Sequence, residues 1–131
     1  MTEHIYEKVL YYHDTDCAGV VYYANYLKYL EEARTEILIS KGINPQKLAL
    51  DGIGFAVAKV EIEYKNPARY QDRIIVKTNI LKTKLSTIIF KQSVLRGDTL
   101  LANALVTVVF VGKDFKPIPI PEDIKKAISD V

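Results

Sequence analysis

Hydrophobic positions recur along this chain with two different periods, and the switch between them divides it into elements. Residues 4–13 are dense in Tyr, Val, Leu and Ile, a β-branched and aromatic content that predicts a strand ending at a polar turn. Over residues 23–41 the period lengthens. Tyr22, Tyr26, Tyr29, Leu30, Ala33 and Ile37 recur at helical spacing, with Lys28, Glu31, Glu32 and Glu36 marking the opposite side. Gly42 is placed to end that helix in the left-handed conformation. About 18 residues at roughly 1.5 Å each would span roughly 27 Å, enough to cross a small domain.

A helical turn or two is expected at Pro45–Leu50, and strand chemistry follows. Residues 55–64 set Ala56, Ala58, Val60, Ile62 and Tyr64 against Lys59, Glu61 and Glu63, the alternation of a strand with one covered face. Further strands are predicted at 72–81, 87–95 and 100–111, separated by turns at Asn66-Pro67, Lys82-Thr83-Lys84 and Arg96-Gly97-Asp98. The last strand is apolar on both faces apart from Asn103 and Thr107, so it belongs inside the sheet. Prolines over 117–121 stop the sheet, and Glu122–Ser129 reads as a short closing helix. The order is strand, long helix, four strands: an α+β layout with one helix against a five-stranded antiparallel sheet. One helix covers only part of such a sheet, and the strand at 55–64 would be a long unpaired edge. Self-association is therefore expected.

Composition narrows the classes. The 131 residues, 49% apolar and 26% charged, suit one globular domain spanning 1–131. The net charge of +2 is spread over 18 basic and 16 acidic residues without a block of one sign, so no nucleic-acid footprint is present. No segment has the basic start and apolar run of a secretory signal or the length to span a bilayer, and a cytoplasmic location is expected. With Cys17 as the one cysteine beside His4 and His13, neither an internal disulfide nor a Cys/His metal site is expected.

The chemistry concentrates between the first strand and the helix, where Asp14-Thr15-Asp16-Cys17-Ala18-Gly19 leads into Val20-Val21-Tyr22-Tyr23-Ala24-Asn25-Tyr26. The first backbone N–H groups of a helix lack intrahelical partners and carry the positive end of its dipole, so they can hold a developing oxyanion. A carboxylate beside them can attack a carbonyl or orient water toward it. The plainer reading is that Asp14 and Asp16 are turn residues satisfying local backbone donors. Cys17 could be read as a nucleophile, but a neighbouring carboxylate raises a thiol pKa and no second base is apparent, so packing is its expected role. Glu31 and Arg34 are spaced to pair on the helix. Arg69, Lys82 and Lys84 are candidate cations for a polyphosphate.

The run from Asp14 to Tyr22, followed by Asn25-Tyr26 and Glu31-Glu32-Ala33-Arg34, resembles the signature of the 4-hydroxybenzoyl-CoA thioesterase family, in particular its Tol–Pal-associated acyl-CoA thioesterases. Val60-Glu61-Ile62-Glu63-Tyr64, then Pro67-Ala68-Arg69 and Asp72, is similar to that pattern as well. The resemblance implies a hotdog fold, a sheet wrapped around the central helix, with dimers that pair into tetramers and an active site at the dimer interface. It implies hydrolysis of an acyl-CoA thioester with Asp16 as the catalytic carboxylate and the Tyr23 backbone N–H polarising the carbonyl. Coenzyme A would be part of the substrate, with no further cofactor and no metal. Tyr23 stands where Tol–Pal-associated members usually have His, which leaves a backbone role intact and removes a His side chain. A non-catalytic acyl-CoA-binding protein is the alternative, disfavoured because binding alone needs no carboxylate at the carbonyl. A hotdog dehydratase would be expected to use a His, and His13 lies on the wrong side of the motif.

Overall fold

In the computed structural model, which describes residues 3–129, the first strand is shorter than its sequence suggests. β1 (His4–Val9) stops where Leu10 donates to the Asp72 carbonyl and Tyr11 turns its N–H to the Asp14 carboxylate, and a 3-10 turn (Tyr12–Asp14) follows. Apolar content alone had extended this strand to His13. Next come α1 (Asn25–Ser40), α2 (Pro45–Leu50), β2 (Gly54–Tyr64), β3 (Arg73–Thr83), β4 (Thr87–Arg96), β5 (Thr99–Val111) and α3 (Glu122–Ser129). The expected α+β order is present, including the closing helix.

The five strands form one antiparallel sheet in the order β1-β3-β4-β5-β2. β5 is flanked on both sides, as its two-faced apolar sequence requires. β2 has β5 on one side only and is an edge, as expected. Its alternation is corrected by a bulge between Val57 and Lys59. Residues paired directly across an antiparallel ladder share a face. Phe55, Val57, Val60 and Ile62 pair with Phe110, Val108, Val106 and Ala104, all buried, so these four lie on the face turned to the core, with Val57 left half exposed beside the bulge. Ala56 pairs with Val109 on the other face, and Ala58 is exposed at the bulge. The extra residue inverts the phase, which a strict period of two could not register.

One face of the sheet packs against α1. Tyr26, Tyr29, Leu30, Ala33 and Ile37 are buried from the helix, while Ile74, Val76, Ile88, Phe90 and Val106 meet them from the strands. Each such side chain contributes about 1.5–3 kcal/mol when withdrawn from water. Tyr22, read as part of the stripe, precedes the helix and is exposed. β1 grips α1 from its edge: the Tyr6 hydroxyl donates to Glu32 Oε1 at 2.9 Å, and Lys8 Nζ lies 3.4 Å from the same oxygen. Burial together with Glu32 pushes the Tyr6 phenol up to about 12.

α1 has 16 residues, roughly 24 Å of axis. It ends as Gly42 predicts. The Ile43 N–H bonds to the Leu38 carbonyl at 2.9 Å and the Gly42 N–H to Ile39 at 2.9 Å, with Gly42 at φ 81°. A Cβ at Gly42 would meet nothing within 4 Å, so a side chain there is opposed by backbone strain alone. Gly42→Ala is accordingly expected to destabilise by about 1–2 kcal/mol, the cost of a left-handed L-residue. Urea unfolding of the two proteins measures this, and an unchanged midpoint would contradict it.

Candidate active site

The segment between β1 and α1 is built around Asp14, which is buried although charged. Its Oδ2 accepts the Tyr11 N–H at 2.8 Å, and its carbonyl accepts both the Tyr22 N–H at 3.2 Å and Asn25 Nδ2 at 2.9 Å. One residue thus fastens the end of the first strand to the beginning of the helix. Burial alone would raise the Asp14 carboxyl pKa. The Tyr11 amide, the neighbouring Tyr29 hydroxyl and the positive charges of His13 and Lys8 outweigh it, and the net shift is downward. The Tyr29 hydroxyl is itself buried beside this carboxylate without closing a hydrogen bond among the described residues.

Asp16 lies two residues on and is exposed. It opens a tight turn: the Gly19 N–H reaches the Asp16 carbonyl at 3.1 Å, the Asp16 N–H reaches Val20 at 2.9 Å, and Thr15 bridges Val21. Gly19, at φ 81°, lets the chain reverse there. Asp16 Oδ1 accepts the Ala18 N–H at 2.8 Å, which is the plain turn role. Oδ2 accepts no hydrogen bond among the described residues, so this carboxylate is oriented by one oxygen and free at the other. Cys17, expected to pack, is exposed on the turn.

The helix begins two residues later than its periodicity suggests, and that offset sets the direction of the Tyr23 amide. The Tyr22 carbonyl accepts the Asn25 N–H at 2.9 Å and so points into the helix. In a planar trans peptide the N–H of the next residue points the opposite way. The Tyr23 N–H is therefore directed out of the helix start and has no partner among the described residues. The Tyr23 carbonyl is held by the Tyr64 hydroxyl at 2.9 Å and the Tyr26 N–H at 3.3 Å. Tyr23 also lines a cavity of about 280 Å³, together with Val21, Tyr26, Tyr64 and residues 65–67.

Of the candidate phosphate-binding cations, Arg69 is brought to the site: it is exposed and bridges Val20 on the Asp16 turn. Lys82 and Lys84 are not. They lie at the far end of β3, whose first residue Arg73 pairs with Val9, so roughly 30 Å of strand separates them from the Asp16 segment within one protomer. Glu31 and Arg34, spaced to pair on α1, form no ion pair among the described residues; Arg34 Nη1 instead donates to Gln92 Oε1 at 3.1 Å. The anchoring roles of Asn25 and Tyr64 were not read from sequence, since each depends on a partner at a distance that spacing does not report.

Residues 11–128 match the thioesterase-like superfamily. The chain belongs to that family. This thioesterase-like chain is 38% identical over 121 residues to the acyl-CoA thioesterase YbgC of Haemophilus influenzae, covering 90% of this chain and 88% of the relative. Its fold superposes on the 1,4-dihydroxy-2-naphthoyl-CoA thioesterase Slr0204 of Synechocystis with a TM-score of 0.91 at 26% identity, over 99% of this chain and 98% of that one. A 4-hydroxybenzoyl-CoA thioesterase mutant complexed with 4-hydroxybenzoyl CoA shares the fold, with a TM-score of 0.88 at 24% identity, over 97% and 99% of the two chains. The thioesterase-like chain thus has the hotdog architecture that its motif implied.

The buried carboxylate has a measurable signature. Its pKa is lowered on folding, so it contributes stability that is present above the unfolded carboxyl value of about 3.9 and is lost as pH falls through the lower folded value. Asp14→Asn should lower the melting temperature at pH 7 and show a shallower decline than the parent as pH falls below about 4. Thermal melts from pH 2.5 to 7 check this, and parallel curves would contradict it.

Proposed function

We propose that the chain hydrolyses acyl-CoA thioesters at Asp16, with the Tyr23 N–H as the oxyanion donor. That it is an acyl-CoA thioester hydrolase is carried by its family and by the YbgC relative. The observation that carries the site is the outward, unpaired Tyr23 amide on a helix start tied through Asp14 to the turn that holds Asp16. The thioester carbonyl oxygen would accept from Tyr23, and the α1 dipole would stabilise the negative charge that develops there. Asp16 Oδ2 would act in one of two ways. As a base it takes a proton from water, the water oxygen bonds to the acyl carbon, the C–S bond breaks, and the proton leaves with the thiol. As a nucleophile it bonds to the acyl carbon, the C–S bond breaks and the thiolate leaves; water then opens the acyl anhydride, restoring the Asp16 carboxylate and freeing the acid, with one water proton going to the thiolate. Oxygen-18 from solvent appearing in Asp16 after a single turnover separates the routes.

In this reading Asp14 acts on geometry and Asp16 on chemistry. Asp16→Asn is expected to lower turnover at least about a hundredfold with the fold intact, and Asp14→Asn is expected to lower it less. Thiol release by both variants, at matched oligomeric state, is the test. Near-normal turnover by Asp16→Asn would overturn the assignment.

The proposal includes a partner copy. The β2 edge lacks a neighbour on one side, and joining it to its twin across a two-fold axis would complete both sheets and complete a site between protomers. Two such dimers would form the tetramer implied by the motif's resemblance. The expected location remains the cytoplasm, and no cofactor or metal enters either route. Sedimentation over a wide concentration range should give a dimer or larger; a fully active monomer would contradict an interface site.

A further inference from the structure

Arg34 is a buried cation that this mechanism does not use. It is nine-tenths buried, and its one side-chain hydrogen bond among the described residues is to Gln92. Gln92 offers it one acceptor atom, Oε1, and is held in that orientation by its Nε2, which donates to the Leu30 carbonyl and to Thr78 Oγ1, both at 3.0 Å. Glu31 is the nearest acid on the same helix. It lies beyond ion-pairing distance, and its Oε2 accepts the Thr35 hydroxyl at 3.2 Å. A guanidinium carries five N–H donors; one is taken by Gln92, and the rest have no protein acceptor among the described residues and are not sealed from the space beside them. A cation held this far from bulk water, with donors to spare, is placed to receive an acceptor from outside the chain.

That acceptor has a place to bind. Arg34 lines a cavity of about 300 Å³ between α1, α2 and the start of β2, whose walls include Leu38, Leu48, Ile53, Phe55 and Phe90. Glu31 and Thr35 line it beside Arg34, and apolar walls with a few placed polar groups are the pattern of a small-molecule site. Its position within the strand matters. Phe55 and Val57 are near the start of β2, whereas Tyr64, which holds the Tyr23 carbonyl, ends it. When two β2 edges pair antiparallel about a two-fold axis, the start of each lies opposite the end of the other. Such a pairing would bring the cavity of one copy toward the Tyr23 end of the other.

We propose that this cavity receives the acyl chain and that Arg34 selects chains whose far end carries a hydrogen-bond-accepting oxygen, a carboxylate or a hydroxyl. The inference rests on the thioesterase reading and on the paired edge, and adds a specificity residue to them. A methyl-ended chain of equal length fills the apolar walls and leaves the guanidinium donors unpaired.

The test is thiol release from glutaryl-CoA, 5-hydroxypentanoyl-CoA and hexanoyl-CoA by the full chain and by Arg34→Met. In the parent, at least one oxygenated substrate should exceed hexanoyl-CoA in kcat/KM by at least about tenfold, with the winning substrate distinguishing carboxylate from hydroxyl. In Arg34→Met that ratio should fall to within about threefold of one. Equal kcat/KM for all three in the parent would overturn the inference, even if the variant does not fold. So would dissociation of the Arg34→Met dimer, which would make a partner acid the counter-ion. No thiol from any substrate would overturn the thioesterase reading and this inference with it.

Discussion

A single buried residue, Asp14, sets the relation between the helix start and the turn on which the proposed chemistry depends. Its carboxylate stops β1 by taking the Tyr11 N–H, and its carbonyl takes Tyr22 N–H and Asn25 Nδ2 at the threshold of α1. A buried carboxylate is tolerable only when it is hydrogen-bonded or paired, so the segment is held in one arrangement. Asp16 and the Tyr23 amide lie on either side of that fastening, each a few residues away. Their mutual position follows from the anchor more than from contact between them.

The sheet and helix extend that constraint. α1 is fixed along its length by apolar packing, at one end by the glycine cap and at the side by the Tyr6 and Lys8 bonds to Glu32. The Tyr23 N–H therefore rides on an element that cannot turn without breaking the core. Such preorganisation lets a backbone dipole stabilise charge without reorganising during the reaction. The same sheet ends at an unpaired β2, and the cavity around Arg34 opens at the opposite end of that strand from Tyr64. A protomer alone holds the two halves apart.

Much of the fold was legible because periodicity reports burial directly. The 3.6-residue stripe of α1 from Tyr26 onward, the capping Gly42, the two-faced β5 and the closing helix Glu122–Ser129 all stood where the pattern placed them, although the helix itself began two residues late and left Tyr22 outside it. Failures arose where another force outranked periodicity. β1 ended early because Asp14 captured the Tyr11 amide, and β2 changed phase because one residue bulged at Ala58. The motif pointed to Asp16 and Tyr23 by resemblance, yet gave no sign that Asp14 is the buried one. Arg34 was read as a helix partner of Glu31, since helical spacing alone cannot reveal Gln92 arriving from β4, 58 residues away in the chain.

The most direct measurement is the crystal structure of Asp16→Asn with an acyl-CoA bound. The thioester carbonyl oxygen should lie about 2.7–3.1 Å from the Tyr23 nitrogen, with the position-16 side chain facing the acyl carbon. A thioester bound with its carbonyl directed away from Tyr23, or far from position 16, would contradict the proposed site.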